Sequence, residues 1–88
     1  MRKFFQSDEL RKILAKLFKK DKASYDAVFG KMNEVINSVD INHYKNLKRP
    51  LQHLKRVHVG HFVLLFKYNP SEDNVTFVMF SHHDEAYS

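Results

Sequence analysis

The 88-residue chain contains no cysteine. That removes disulfides, thiolate metal sites and a cysteine nucleophile, and it suits a reducing compartment. Glycine and proline occur only twice each, while 43% of the residues are hydrophobic. That balance argues against disorder. No apolar run reaches the roughly 18 residues of a spanning helix. A signal peptide is also not expected: Met1, Arg2 and Lys3 open a basic N-terminus, but Asp8 and Glu9 follow where a long apolar stretch would be needed. The chain reads as cytoplasmic, as one small domain over residues 1–88 with a modest core, and as free of internal repeats. Acidic residues are the minority, 10 against 15 lysines and arginines, giving a formal charge of +5. A small basic protein of this kind suits a nucleic acid, an acidic protein or an anionic membrane surface as partner.

What the chain does have is pattern. Phe4 and Phe5 make a short first strand or lead into a helix. Ser7 suits an N-cap, and Asp8 and Glu9 suit the positive end of the helix that follows. Leu10, Ile13, Leu14, Leu17 and Phe18 form a helical apolar stripe, with Arg11, Lys12, Lys16, Lys19 and Lys20 mostly off it. Asp21 or Ser24 caps a second helix, whose stripe is Tyr25, Val28, Phe29, Met32, Val35, Ile36 and Val39, ending between residues 37 and 40. The short connection makes the pair an antiparallel helical hairpin. Residues 41–52 have no clean period, are polar and basic, contain Pro50, and read as a loop.

The last third carries the densest signal. Residues 54–59 alternate, with Leu54, Arg56 and His58 on one side and Lys55, Val57 and Val59 on the other. Gly60 marks a turn. Residues 62–68 are apolar on both faces, as a central strand should be. Asn69, Pro70, Ser71, Glu72, Asp73 and Asn74 form a strong turn. The returning strand alternates Val75, Phe77 and Met79 against Thr76, Val78 and Phe80. His82, His83 and Tyr87 follow. The expected fold is therefore α+β, an N-terminal helical hairpin on a twisted antiparallel sheet of three to four strands. Basic, imidazole and phenol groups then meet on one face.

The segment LKRVHVGHFVLLFKY and the closing VTFVMFSHHDEAY resemble the corresponding strand–turn–strand and terminal-strand motifs of the RelE/ParE family of small toxins, and within it the histidine-rich YafQ-type branch. The resemblance implies a toxin of a type II toxin–antitoxin pair that cuts mRNA, in the ribosomal A site, without a metal or other cofactor, and that is held inactive by a cognate antitoxin seated partly on its hydrophobic surface. By motif position, Arg56 and His58 fall where cleaving members keep a basic residue and an imidazole or lysine. His83 stands four residues before Tyr87, the spacing of the terminal histidine and aromatic. Val63 is a departure, standing where many ribosome-dependent members have an arginine that contacts the scissile phosphate, and it favours histidine-based chemistry.

RNA cleavage of this type needs a base for the 2′-hydroxyl, an acid for the departing 5′-oxygen and cations for the transition-state charge. Histidine serves either role. His58 and His83 are the expected acid–base pair, Arg56 the phosphate ligand, and Tyr87 a stacking or proton-donating group. Lys55, His82, Lys45, Lys48 and Arg49 are the expected substrate-binding residues. A site for zinc or nickel from His82, His83 and Asp84 with His58 or His61 has no recognised ligand spacing, so no metal is expected. Two other readings fit the same fold: a non-cleaving, ParE-like inhibitor of DNA gyrase, and a catalytically decayed homologue that only binds RNA or antitoxin.

Overall fold

The computed structural model describes residues 1–84; Tyr87 lies outside them. The elements run β1 (Lys3–Gln6), α1 (Asp8–Lys20), α2 (Lys22–Ile36), a 3-10 turn (Ile41–His43), β2 (Lys55–Val59), β3 (Phe62–Asn69) and β4 (Asn74–His82). The sheet order is β1-β4-β3-β2. β2–β3 and β3–β4 are the antiparallel hairpins that the sequence called for, while β1 joins the far side of β4 in parallel. The sheet is thus mixed, with the helical hairpin on one face. No helix among the described residues is long and apolar enough to cross a membrane.

Local chemistry sets the helix ends. The Ser7 hydroxyl accepts from Leu10 N at 3.0 Å and donates to Val78 O at 2.7 Å, so one side chain caps α1 and ties it to β4. Asp21, the single residue between the helices, accepts from both the backbone and the hydroxyl of Ser24, and these bonds hold its carboxyl below the usual carboxylate range. At the other end of α2, Arg2 donates to the carbonyls of Ile36 and Ser38 and pairs with Asp73 at 2.9 Å, fastening the N-terminus to the β3–β4 turn.

The core lies between helices and sheet: Leu10 and Leu14 of α1, Val28, Met32, Val35 and Ile36 of α2, and Val57, Leu64, Phe66, Val75, Phe77 and Phe80 of the strands. Three apolar residues expected on the helical stripes fall outside it. Val39 is fully exposed beyond the end of α2. Phe18 is 51% exposed and Phe29 38% exposed, and they flank Tyr25 in a surface aromatic ladder. A helix of this size offers the sheet a narrower arc than the whole stripe, so its flank residues stay in water.

Strict alternation along β4 also fails. The β3–β4 register shifts between Leu65 and Phe66, pairing Leu65 with Met79 but Phe66 with Phe77. The extra residue lets Phe77 and Phe80 both enter the helix-side core, while Val78 and Met79 both pack with Val63, Leu65 and Leu47 on the other side. Every side chain after the bulge changes face relative to a plain alternation.

Candidate functional site on the open sheet face

The bulge decides which terminal histidine meets β2. His58 pairs across β3 with Val63, which pairs with Ser81 on β4. Cross-strand partners share a face, and so do residues two apart on a strand. His58, Ser81 and His83 therefore fall on the face away from the helices, and His82 falls on the other. The rings of His58 and His83 stack with centroids 5.5 Å apart and planes 25° apart, within the range of offset-stacked rings. Both side chains are exposed. His83 N donates to His61 O at 3.0 Å, which pins the end of β4 to the β2–β3 turn. Gly60, in that two-residue turn, takes φ 61°, a conformation open to glycine at no steric cost.

Arg56 stands two residues before His58 on the same face, roughly 6.6 Å along the strand. It is half-buried, and its Nη1 lies 3.4 Å from Asn46 O. His43, Tyr44, Lys45, Arg56 and His58 line an open cleft of about 330 Å³ along the outer edge of β2. Imidazole, guanidinium and ammonium groups thus converge on one groove. The arrangement suits an anionic ligand that presents both a phosphate and an exchangeable proton.

The loop that supplies this edge is more ordered than its composition suggested. Ile41, Tyr44 and Leu47 are buried at three-residue intervals. Residues 45–47 run antiparallel to the start of β2 through Arg56 N to Lys45 O, Leu47 N to Leu54 O and the Asn46–Lys55 bridge. Tyr44 donates to Glu34 Oε2 at 2.7 Å. Burial and that carboxylate raise the phenol's pKa, and the same bond holds Glu34 low. The Arg49–Pro50 peptide is cis. Lys45, Lys48 and Arg49 are all exposed on this loop, as phosphate contacts require.

Lys55 is different. It was expected to reach substrate, yet its side chain turns to the helix side, is 8% exposed, and donates to Tyr44 O at 3.1 Å and Asn46 Oδ1 at 3.0 Å. An ammonium placed there satisfies two acceptors of the loop and holds it against β2. Lys55→Met is expected to lower stability by about 1.5–3 kcal/mol, because it removes charge-assisted bonds and leaves both acceptors unpaired. A thermal melt checks this, with exposed Lys45→Ala as the control expected to stay within about 0.5 kcal/mol of the parent. Equal melts for the two variants would show that Lys55 has no such role.

His82, expected beside the substrate, packs edge-on against Phe62 at 5.4 Å on the helix side of the sheet. Its neighbour Asp84 approaches His82 Nδ1 at 3.8 Å and His83 Nδ1 at 3.7 Å, distances of ion pairing rather than hydrogen bonding. Asn46 and the His61 carbonyl, which position Lys55 and His83, carry no mark in the sequence. Among the described residues no three His, Asp or Glu side chains are grouped as a metal ion would need.

A helical hairpin on one face of a small mixed sheet, with a basic, histidine-bearing groove on the other, defines a small α+β fold with one open, cationic sheet face. No family model matches the sequence. It is, however, 46% identical over 79 residues to the protein described as "Putative toxin RelE4" of Methanocaldococcus jannaschii, covering 89% of this chain and 82% of that one. The chain belongs to the RelE/YafQ-like toxin superfamily. Solved structures share its fold at lower identity. A metal-bound toxin from Helicobacter pylori has a TM-score of 0.77 at 19% identity, covering 97% of this chain and 98% of its own. YafQ from E. coli has 0.75 at 16%, over the whole of both chains. A chain of the RelBE2 toxin–antitoxin complex of Mycobacterium tuberculosis has 0.69 at 21%, covering 93% and 98%.

Proposed function

We propose that this chain is the toxin of a type II toxin–antitoxin pair and an endoribonuclease that cuts mRNA in the ribosomal A site by metal-independent histidine acid–base chemistry. One observation carries the reading: the stacked His58–His83 pair beside Arg56 on the open face. Membership of a toxin superfamily and the likeness to a toxin from a toxin–antitoxin complex support the class and the antitoxin partner. In the reaction, one imidazole takes the proton from a 2′-hydroxyl. The resulting oxygen attacks the adjacent phosphorus as the bond to the 5′-oxygen breaks, and the other imidazole, as imidazolium, protonates that leaving oxygen. The products are a 2′,3′-cyclic phosphate and a 5′-hydroxyl. Arg56 lies where it can bear on the phosphoryl oxygens as charge builds.

The ring faces leave too little space for a phosphate between them, so substrate meets the ring edges that face solvent. Val63 supports a mechanism without a second-strand arginine. It is fully buried beneath Leu47, and a long cation there would have to displace that packing. The reading is tested by inducing the chain in cells and mapping a defined transcript by primer extension. In-frame cuts are expected. Growth arrest with intact mRNA and DNA-damage signalling would overturn it in favour of gyrase inhibition.

A further inference from the structure

The groove beside His58 has one lining side chain that the cleavage scheme does not use. Residues 45–47 pair with the start of β2 so that Asn46 meets Lys55 and Lys45 O meets Arg56 N. The same register, carried back to the 3-10 turn, brings position 43 beside position 58, and His43 and His58 line the same cleft. His43 is exposed, yet its ring is held in two ways. It lies over the Tyr44 ring, with centroids 4.0 Å apart and planes 36° apart. Tyr44 is itself buried, bonded to Glu34 Oε2 at 2.7 Å and edge-on to Phe66. The second hold is at Nδ1, which faces the carbonyl of Asp40. A carbonyl only accepts, so Nδ1 carries the proton and Nε2 is the acceptor of the neutral ring. Asp40 also caps the turn: its Oδ1 accepts from Asn42 N at 3.2 Å, and its carbonyl accepts from His43 N at 3.3 Å. Among the described residues, Tyr44 is the one ring in contact with His43, which leaves the imidazole's other face to solvent and the cleft.

We infer that His43 is the stacking platform for an unpaired nucleobase next to the scissile phosphate, and so a substrate-positioning residue of the groove. The inference deepens the proposed function and rests on it, since it names the part of the RNA that this side of the site receives. An exposed ring laid on a buried, anchored ring is already arranged for a planar ligand, and little conformational freedom is lost when one binds. The other side chains that face the cleft, Lys45, Arg56 and His58, suit phosphate and proton transfer, so His43 supplies the planar contact they lack. Splayed bases of single-stranded RNA stack on histidine as on other aromatic rings. Every base has a π-face, so the contact tolerates sequence. With the base on His43 and the phosphate at Arg56, the ribose between them is brought toward the ring edges of His58 and His83.

The test uses the full chain and two fluorescent strands of about six nucleotides and equal charge. One is 2′-O-methyl oligoadenylate, and the other is its abasic counterpart, which keeps the sugars and phosphates but no base. Neither has a 2′-hydroxyl to attack, so binding is read apart from cleavage. Anisotropy titrations across a salt series are run on the parent, on His43→Ala and on His43→Phe. His43→Ala is expected to bind the oligoadenylate about tenfold more weakly, the worth of one stacked base. Its slope of log K against log salt should match the parent's, because stacking releases no counterion. His43→Phe keeps a ring without either nitrogen and is expected to stay within about threefold of the parent. On the abasic strand the parent and His43→Ala are expected to bind alike. Parent-like binding of oligoadenylate by His43→Ala overturns the inference. Equal loss on the abasic strand also overturns it, since that marks a structural role for His43. So does a loss shared by His43→Phe with a lower salt slope, which makes the residue a phosphate contact. A parent that binds both strands alike, or neither, seats no base and overturns it too. Any of these results leaves the cleavage assignment standing as long as in-frame cuts appear in cells, whereas base-dependent binding without such cuts strikes that assignment alone.

Discussion

Alanine in place of His58 or His83 is expected to lower mRNA cleavage by about 10²–10⁴ each, the usual worth of a positioned general acid or base. The double variant is expected to lose little more than the worse single variant, because two groups that act in one proton-transfer cycle are strongly non-additive. Neither change should unfold the protein. Both side chains are exposed on the open face, where substitutions usually cost no more than about 0.5 kcal/mol. His82→Ala supplies the internal contrast: the same residue type, one position away, but turned to Phe62 on the other side of the sheet. It should keep most of the activity. Cleavage rates on a defined transcript in the presence of ribosomes, with melts of each purified variant, separate these outcomes. A folded double variant that still cuts at the parent rate would end the assignment of the pair. Loss in His82→Ala equal to loss in His83→Ala would mean that the bulge does not select between them.

That selection shows where the sequence stops short. The two helices were legible because their caps and stripes are local: Ser7, Asp8 and Glu9 open α1, and Asp21 caps α2, all within one turn of the residues they serve. The hairpins were legible because Gly60 and the 69–74 turn punctuate apolar strands. The bulge was not, since nothing in VTFVMFSHH marks which residue is the extra one. It arises because Phe77 and Phe80 both gain more from the helix-side core than alternation would allow. The parallel pairing of β1 was hidden for a related reason. Its partner lies some 70 residues along the chain, and its position depends on the helices between rather than on its own four residues. Periodicity also overstated the core at Phe18 and Phe29, and it missed Ile41, Tyr44 and Leu47, whose three-residue spacing belongs to neither a standard helix nor a strand.

The same logic explains how the site came to be half visible. Arg56, His58 and His83 are brought to one face by strand alternation plus one bulge. Lys55 shows the opposite case. Its charge pointed to phosphate, but its parity with Val57 sent it into the protein, where the loop carbonyl of Tyr44 and the amide of Asn46 receive it. A basic residue adjacent to an outward-facing one on a strand is turned to the other face by the pleat, and here that face is the core.

Phe66→Ala is expected to be the most damaging single change to the fold, and Phe62→Ala, four residues earlier on the same strand, among the mild ones. Phe66 is fully buried and touches Tyr44 edge-on at 5.5 Å and Phe77 at 6.0 Å, so it joins the central strand to both β4 and the loop that borders the groove. Truncating a buried phenylalanine costs about 3–5 kcal/mol in transfer and cavity terms. A chain of this length holds roughly 4–13 kcal/mol in all, at about 0.05–0.15 per residue. In a domain of this size each kilocalorie moves the melting midpoint by about 4–8 °C, so the midpoint should fall by roughly 12 °C or more and expression should suffer. Phe62 also stacks, on Phe80 at 5.0 Å, but it is 41% exposed at the end of the sheet. It leaves no closed cavity and should cost under about 1.5 kcal/mol, in line with area already in contact with water. Melts of the two variants decide the matter. If Phe62→Ala proved as destabilising as Phe66→Ala, the core would extend to the open end of β3, and the stacked rings there would be structural in the same sense as Phe66. If Phe66→Ala melted near the parent, the loop holding Tyr44 and the cleft beside His58 would not depend on the central strand for their position.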